Sequence, residues 1–283
     1  MTILIDKKTK VIVQGATGHQ GSFHTKLMKE YGTNIIAGVT PKKGGQEVHG
    51  IPVFNTVKEA QDFNPADYSI LFVPARFAKS AAFEALDNGL NLVIISEGIP
   101  IHDSIGIMNK AKENALTVIG PNTPGIISVN ECKIGIMPSH IFKKGKVGII
   151  SRSGTLTYEI VNELSKNKLG QSTVLGIGGD PVIGIDFIGA LKLFEEDHRT
   201  EKIVIIGEIG GDLEERTAKF LKNYSKYVVV YIAGRTAPPD KRMGHAGAII
   251  SAGIGTAKSK INKFMSVGIK VAQLPSEVVR LLK

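Results

Sequence analysis

The chain has 283 residues, 42% of them hydrophobic and 22% charged, which is typical of a globular protein and long enough for two domains. Its net charge of +9 is spread along the sequence without long basic runs or interleaved aromatic residues, which disfavours nucleic-acid binding. A single cysteine, Cys132, excludes an intrachain disulfide framework. No apolar run approaches the ~18–20 residues of a membrane span, and residues 1–10 lack the features of a targeting leader. We therefore expect a cytoplasmic protein without a membrane span.

Short runs of β-branched residues alternate with helix-period segments along the first part of the sequence. The predicted strands are residues 11–13, 35–39, 70–73, 92–95 and 118–119. The predicted helices between them are residues 21–31, 76–88 and 104–114. Such alternation predicts a parallel sheet with helices on both faces.

Residues 122–146 are rich in Pro and Gly and interrupt this alternation, so we predict a linker there. The alternation then restarts in a second set of elements. The predicted strands are residues 147–150, 172–175, 203–206, 228–232 and 271–272. The predicted helices are residues 155–166, 186–196, 213–224, 256–265 and 276–282. The sequence therefore predicts two α/β domains, and ligands are expected at the carboxyl ends of their strands.

A Gly-rich turn, Gln14-Gly15-Ala16-Thr17-Gly18-His19-Gln20-Gly21, follows the first predicted strand and precedes a helix. Glycines let backbone N–H groups approach an anion at a helix start. The G-x-x-G-x-x-G spacing differs from the dinucleotide fingerprint, and Lys42 and Lys43 follow the second strand where an NAD site has an acidic residue. The turn favours a more anionic ligand such as CoA. A plain strand-to-helix turn and an NAD-linked dehydrogenase are the alternatives.

Two loops of the second domain carry further candidate residues. Ser153 and Gly154 begin a predicted helix and could hold a phosphate, although an ordinary serine N-cap is an equal alternative. Glu208 stands in a Gly-rich loop after a strand and could orient a histidine by accepting its ring N–H; a surface charge is the alternative.

His245 differs from the other six of the seven histidines because small residues surround it and Lys241 and Arg242 precede it. A neutral imidazole, with an ordinary pKa of about 6.5, can attack phosphorus at physiological pH. From spacing alone, a phosphoryl carrier and an ordinary histidine both remain open. No histidine pair has zinc-ligand spacing, so we expect no metal site in this chain.

These motifs together resemble those of succinyl-CoA synthetase α subunits, and the resemblance covers essentially the whole chain. It rests on Gly-His-Ala-Gly-Ala-Ile at 244–249, Ser-Arg-Ser-Gly-Thr-Leu-Thr-Tyr at 151–158, Gly-Ile-Gly-Gly-Asp-Pro at 176–181, Ile-Gly-Glu-Ile-Gly-Gly at 206–211, Gly-Pro-Asn-Thr-Pro-Gly at 120–125 and Gly-Val-Thr-Pro-Lys-Lys-Gly-Gly at 38–45. It implies a Rossmann-like CoA-binding domain at residues 1–121, a linker at 122–146 and a flavodoxin-like doubly wound domain at 147–283.

The resemblance also implies roles for individual residues. His245 matches the phosphohistidine and Glu208 the carboxylate that supports it. Ser153 and Gly154 match the helix start that holds its phosphate, and Tyr158 matches a substrate-binding position. The CoA-binding positions are matched by Thr17, Gly18, His19, Gln20, Lys43, Ile95, Ser96 and Glu97.

The implied reaction is the reversible ligation of the tricarboxylic acid cycle. Succinate, CoA and a nucleoside triphosphate give succinyl-CoA, nucleoside diphosphate and phosphate, through phospho-His245 and succinyl phosphate. The chain lacks G-x-x-x-x-G-K-S/T, so we expect a β subunit to supply the nucleotide site and Mg²⁺ in an αβ or α2β2 assembly. A ligase for malate or acetate and a non-catalytic CoA-binding module are the alternatives, and the choice between ATP and GTP stays open.

Overall fold

The two predicted sets of strands lie in two separate α/β units of the computed structural model, which describes residues 3–238, 240–250 and 254–283. The first unit comprises Leu4–Met137 and Val182–Gly184. The second comprises Pro138–Pro181 and Ile185–Lys283, together with Ile3.

The first unit is a parallel sheet with one antiparallel edge strand. Its strands are β1 (Lys10–Gln14), β2 (Asn34–Val39), β3 (Glu47–Val48), β4 (Ile51–Phe54), β5 (Tyr68–Leu71), β6 (Asn91–Ile94), β7 (Val118–Ile119), β8 (Gly125–Ser128) and β9 (Cys132–Gly135). Its helices are α1 (His19–Tyr31), α2 (Val57–Phe63), α3 (Ala75–Asp87) and α4 (Ile101–Glu113). The order of strands β1 to β7 in the sheet is β3-β4-β2-β1-β5-β6-β7, and among the described pairings of these seven strands only that of β3 with β4 is antiparallel. Without β3 this is the strand order of the dinucleotide-binding fold, so the Rossmann-like prediction is confirmed.

The central strands of this sheet are buried on both faces, which is why they read as continuous apolar runs. All four residues of β5 are buried. On α3 the buried residues Ala78, Ala82 and Ala85 recur at helical spacing and face the core that Ile12 and Leu71 also form. The chain order reverses between β1 and β5, which places the expected ligand crevice at their carboxyl ends.

The second unit contains five parallel strands flanked by helices. Its strands are β10 (Lys144–Ser151), β11 (Gln171–Gly176), β12 (Lys202–Gly207), β13 (Tyr227–Ile232) and β14 (Lys270–Ala272). Its helices are α5 (Gly154–Lys166), α6 (Phe187–Glu196), α7 (Leu213–Phe220), α8 (Ala257–Met265) and α9 (Glu277–Leu282). The strands follow the order β14-β13-β12-β10-β11. This is the flavodoxin-like order, which confirms the prediction, and the chain order reverses between β10 and β12.

The stretch proposed as a linker contains regular structure. Strands β8 and β9 form an antiparallel hairpin that belongs to the first unit. The hairpin packs on α1 and its end, since the backbone N–H of Gly135 lies 3.4 Å from the Met28 sulfur and Thr33 Oγ1 donates to the Lys133 carbonyl at 2.7 Å. Among the described residues, no helix is long and apolar enough to cross a membrane.

Candidate active site

His245 lies against the carboxylate of Glu208 in the second unit. The distance from His245 Nδ1 to Glu208 Oε2 is 2.7 Å. Glu208 directly follows β12 at the reversal of strand order and is buried, whereas the His245 side chain is 27% exposed. A carboxylate at this distance holds the ring proton on Nδ1, so a neutral His245 presents its lone pair on Nε2. In that tautomer Nε2 is the ring nitrogen that could act as a nucleophile.

The backbone of Gly179 leaves the space that the imidazole occupies. A Cβ at position 179 would lie 2.4 Å from His245 Cγ. Gly179 also accepts a backbone hydrogen bond from Gly247 at 3.3 Å, which ties the loop after β11 to the histidine loop. The ring orientation therefore depends on the absence of a side chain at this position.

The environment raises the pKa of His245 above its ordinary value. The hydrogen bond to Glu208 is the main cause, and the charges of Glu208 and Asp180 act in the same direction. Partial burial and the nearby Arg152 lower the pKa and oppose this effect. Glu208 thus favours the tautomer with its proton on Nδ1 but also favours the imidazolium.

Four buried charged side chains, which we call the ion network, lie behind His245: Arg152, Glu208, Glu214 and Lys260. Arg152 contacts both carboxylates at 3.3 Å: its Nη2 lies against Glu208 Oε1 and its Nη1 against Glu214 Oε1. Glu214 also pairs with Lys260, and both side chains have 0% exposure. Two cations therefore alternate with two anions, which is how buried charges are compensated.

Ser153 and Gly154 lie at the start of α5, directly after β10. Ser153 is the N-cap, and its Oγ accepts a hydrogen bond from the Leu156 backbone N–H at 3.3 Å. The positive end of the helix dipole therefore lies at the same sheet edge as Glu208. Tyr158 is four residues after Gly154 and half-buried, and burial raises its pKa to about 12, so its hydroxyl stays protonated.

The predicted CoA-binding residues all lie at the carboxyl edge of the first sheet. Thr17 and Gly18 lie in the turn after β1, His19 and Gln20 begin α1, Lys43 follows β2, and Ile95, Ser96 and Glu97 follow β6. Several polar residues of this edge are exposed. Ser96 differs, because its Oγ donates a hydrogen bond to the Val73 backbone carbonyl at 2.5 Å. This edge includes the reversal of strand order, where ligands bind in doubly wound sheets.

The third glycine of the first turn lets the helix approach the turn closely. A Cβ at Gly21 would lie 2.0 Å from the Gly15 carbonyl oxygen. The backbone N–H of Thr17 lies 3.4 Å from Thr40 Oγ1, which links the turns after β1 and β2. The turn after β1 is therefore tightly packed, and its exposed residues lie at the carboxyl edge of the sheet.

Sequence reasoning missed Gly179 and the contributions of Arg152, Glu214 and Lys260. One signal for Lys260 is present in the sequence. Ala257, Lys260 and Phe264 are the buried residues of α8, so a lysine occupies a position on the apolar face. A charge at such a position indicates a buried partner.

Two family models match the chain and place it in the class of CoA ligases. Residues 6–98 match the model described as a CoA binding domain. Residues 150–268 match the model described as CoA-ligase, and this range includes His245, Glu208 and the rest of the ion network. The chain is therefore part of an acid–CoA ligase with CoA as a substrate, as the resemblance implied.

Curated relatives define the family more narrowly. The chain is 56% identical over 283 residues to subunit alpha 2 of the ADP-forming succinate–CoA ligase of Archaeoglobus fulgidus, covering 100% of this chain and 99% of the relative. It is 55% identical over 280 residues to the corresponding alpha subunit of Staphylococcus aureus (strain Mu50), covering 98% and 93%. The chain belongs to the family of succinate–CoA ligase α subunits, which are subunits of heteromeric enzymes.

Solved structures share the fold of this chain. The ATP citrate lyase of Methanothrix soehngenii, in complex with citrate and coenzyme A, superposes with a TM-score of 0.90 at 25% identity. The match covers 99% of this chain and 50% of that one, so this chain spans half of the lyase. The dinucleotide-forming acetyl-coenzyme A synthetase 1 of Ca. Korarchaeum cryptofilum shares the fold, with a TM-score of 0.76 at 20% identity, covering 94% of this chain and 58% of that one.

Proposed function

We propose that this chain is the α subunit of an ADP-forming succinate–CoA ligase, and that Nε2 of His245 carries the phosphoryl group from ATP to succinate. The single observation that carries the assignment of the residue is the 2.7 Å contact between His245 Nδ1 and buried Glu208. It supports an imidazole with its lone pair on Nε2 and a carboxylate ready to compensate the charge that develops on the ring.

In the first step, Nε2 attacks the γ-phosphorus of ATP. The P–N bond forms, the bond to the ADP oxygen breaks, and ADP leaves with the electron pair. The Nδ1 proton stays between the ring and Glu208, so the positive charge on the phosphorylated ring faces a carboxylate. No proton must leave before attack, in contrast to a serine nucleophile.

In the second step, a succinate carboxylate oxygen attacks phosphorus, the P–N bond breaks and succinyl phosphate forms. The start of α5 supports phosphate binding because its dipole and the backbone N–H groups after Ser153 favour an anion. We assign Tyr158 to the acid substrate, since its protonated hydroxyl can donate to a carboxylate.

In the third step, the CoA thiol sulfur attacks the acyl carbon of succinyl phosphate, the carbon–oxygen bond to phosphate breaks, and the thiol proton is lost to solvent or phosphate. We assign CoA to the carboxyl edge of the first sheet. The residues assigned to it are Thr17, Gly18, His19, Gln20, Lys43, Ile95, Ser96 and Glu97. The exposed turn after β1 and the exposed Lys43 suit its phosphates.

A second subunit completes the enzyme in this proposal. The sequence lacks a P-loop motif, so we assign the nucleotide and Mg²⁺ to a β subunit in an αβ or α2β2 complex. The cytoplasmic location expected from the sequence stays a prediction.

Phosphorylation of the complex with γ-labelled ATP tests the proposal. We expect an acid-labile, base-stable label on the α chain that disappears in His245→Asn. His198→Asn is the matched control, because His198 is an exposed histidine in the same unit, and it should label like the wild type. A wild-type complex that binds CoA but takes no label would identify a non-catalytic CoA-binding module instead.

Steady-state rates of acyl-CoA formation with succinate, malate and acetate test the acid. Succinate should give the highest kcat/KM, and a higher value for malate or acetate would assign the chain to a ligase for that acid. Parallel assays with ATP and GTP test the nucleotide, for which the ADP-forming relatives support ATP.

A further inference from the structure

We infer that Lys260 and Glu214 are positioning residues for the phosphorylation of His245, because they determine through Arg152 how much negative charge Glu208 presents to the imidazole. This inference rests on the proposed role of His245 as phosphoryl carrier. Neither Lys260 nor Glu214 contacts the imidazole among the described interactions, so both act through the ion network.

Glu214 and Lys260 hold the two ends of the short loop that carries Glu208. Glu214 Oε1 accepts the backbone N–H of Glu208 at 3.1 Å. Lys260 Nζ donates to the Gly210 carbonyl at 2.5 Å and pairs with Glu214 Oε2. The position of the Glu208 carboxylate is therefore tied to α7 and α8 by hydrogen bonds on both sides of the residue.

Charge compensation in the ion network is shared rather than pairwise. Arg152 lies between Glu208 and Glu214, and Lys260 is the second cation in contact with Glu214. Without Lys260, Arg152 alone would face two buried carboxylates. Without Glu214, the positive charge of Arg152 would compensate the Glu208 carboxylate alone. Because uncompensated charge acts strongly in a buried site, either change alters the field at His245.

Stability alone does not explain a fully buried lysine on the apolar face of α8. Buried ion pairs can often be replaced by apolar residues at little cost in stability. The other buried residues on this face, Ala257 and Phe264, are apolar. A role in setting the charge behind His245 accounts for the lysine.

The test is the pH dependence of His245 phosphorylation by ATP in the assembled complex. The charged groups facing His245 are Glu208, Arg152 and Asp180, and all three are unchanged in the variants. Lys260→Met leaves an excess negative charge, which favours the imidazolium, so the acidic limb of the rate profile should move up by about one pH unit. Glu214→Gln leaves an excess positive charge, so the limb should move down by a similar amount.

Two further variants separate this effect from structural damage. The double variant Glu214→Gln/Lys260→Met removes one charge of each sign and should return the limb close to its wild-type position. Lys258→Met is the matched control, because Lys258 is exposed on the same helix, and its profile should not move. Thermal unfolding monitored by circular dichroism shows which variants fold. If Lys260→Met does not fold, the downward shift in Glu214→Gln and its reversal in the double variant remain decisive.

Unmoved profiles in the folded variants, or shifts of the same sign in both single variants, would overturn the inference. If the proposed function itself is wrong, the wild-type complex takes no label on His245. This result differs from unmoved profiles or shifts of the same sign, which would overturn only the inference about Lys260 and Glu214.

Discussion

The contact between Glu208 and His245 predicts a specific phenotype for Glu208→Gln. The change keeps the size of the side chain and removes its charge, so the 2.7 Å hydrogen bond loses its ionic character. A hydrogen bond to a charged group contributes ~1.5–3 kcal/mol against ~0.5–1.5 kcal/mol for a neutral one. The difference of about 1–1.5 kcal/mol corresponds to about one pKa unit and about tenfold in rate.

We therefore expect two changes in the rate of phosphorylation by labelled ATP. The maximal rate falls about tenfold, because the charge on the phosphorylated ring loses its partner. The rate of the wild type rises with pH as His245 loses its proton, and its pKa is raised mainly by Glu208. In the variant this pKa falls, so the acidic limb of the profile moves down by about one pH unit.

Asp212→Asn is the control for this prediction. Asp212 lies four residues after Glu208, and its side chain is 69% exposed and pairs with Arg216. It should label at the wild-type rate with an unshifted profile. A Glu208→Gln complex with a wild-type rate and an unmoved acidic limb would refute the assigned role of Glu208.

Three substitutions test close contacts elsewhere. Gly179→Ala would place a Cβ 2.4 Å from His245 Cγ, so the ring must move and labelling should fall at least about tenfold without a large change in unfolding free energy. Gly148→Ala would place a Cβ 2.6 Å from the Phe194 ring, and urea denaturation should show a loss of about 1–3 kcal/mol. Thr56→Ala removes the side chain that caps α2, which should cost about 1 kcal/mol in the same assay and leave phosphorylation unchanged. Wild-type labelling in Gly179→Ala, or unchanged urea midpoints in the other two, would contradict these expectations.

Most of the parallel strands were predictable because they are buried on both faces and therefore read as apolar, β-branched runs. The parallel strand β4 was missed, because its buried residues alternate with partly exposed ones. Shorter edge elements carry little such signal, and β3, with two residues, and the β8–β9 hairpin were missed. Helix α2 was missed despite a usable signal. Thr56 accepts the Glu59 backbone N–H at 3.1 Å, and the Glu59 carboxylate accepts the backbone N–H of Asn55 at 3.0 Å, a close variant of the capping box.

The residues of the candidate site also differ in how well the sequence predicts them. Glu208 follows a strand end, so the rule for doubly wound sheets directs attention to its loop, and the hypothesis that it orients a histidine agrees with the 2.7 Å contact. The other members of the ion network have no comparable signal, apart from the position of Lys260 on the buried face of α8. Arg152 and Glu214 are 62 positions apart and Glu214 and Lys260 are 46 apart, so only the fold brings them together.

The site meets two opposing requirements. In the proposed mechanism, a carboxylate on Nδ1 holds the proton away from Nε2 and compensates the charge of the phosphorylated ring, but it also raises the pKa of His245 and so reduces the neutral fraction. Arg152 lowers that pKa while its contact with Glu208 keeps the carboxylate in place. Since Arg152 is shared with Glu214, the balance depends on residues beyond the imidazole. If His245 is the phosphoryl carrier that we propose, the pH at which it becomes a competent nucleophile should therefore depend on the whole ion network rather than on the histidine alone.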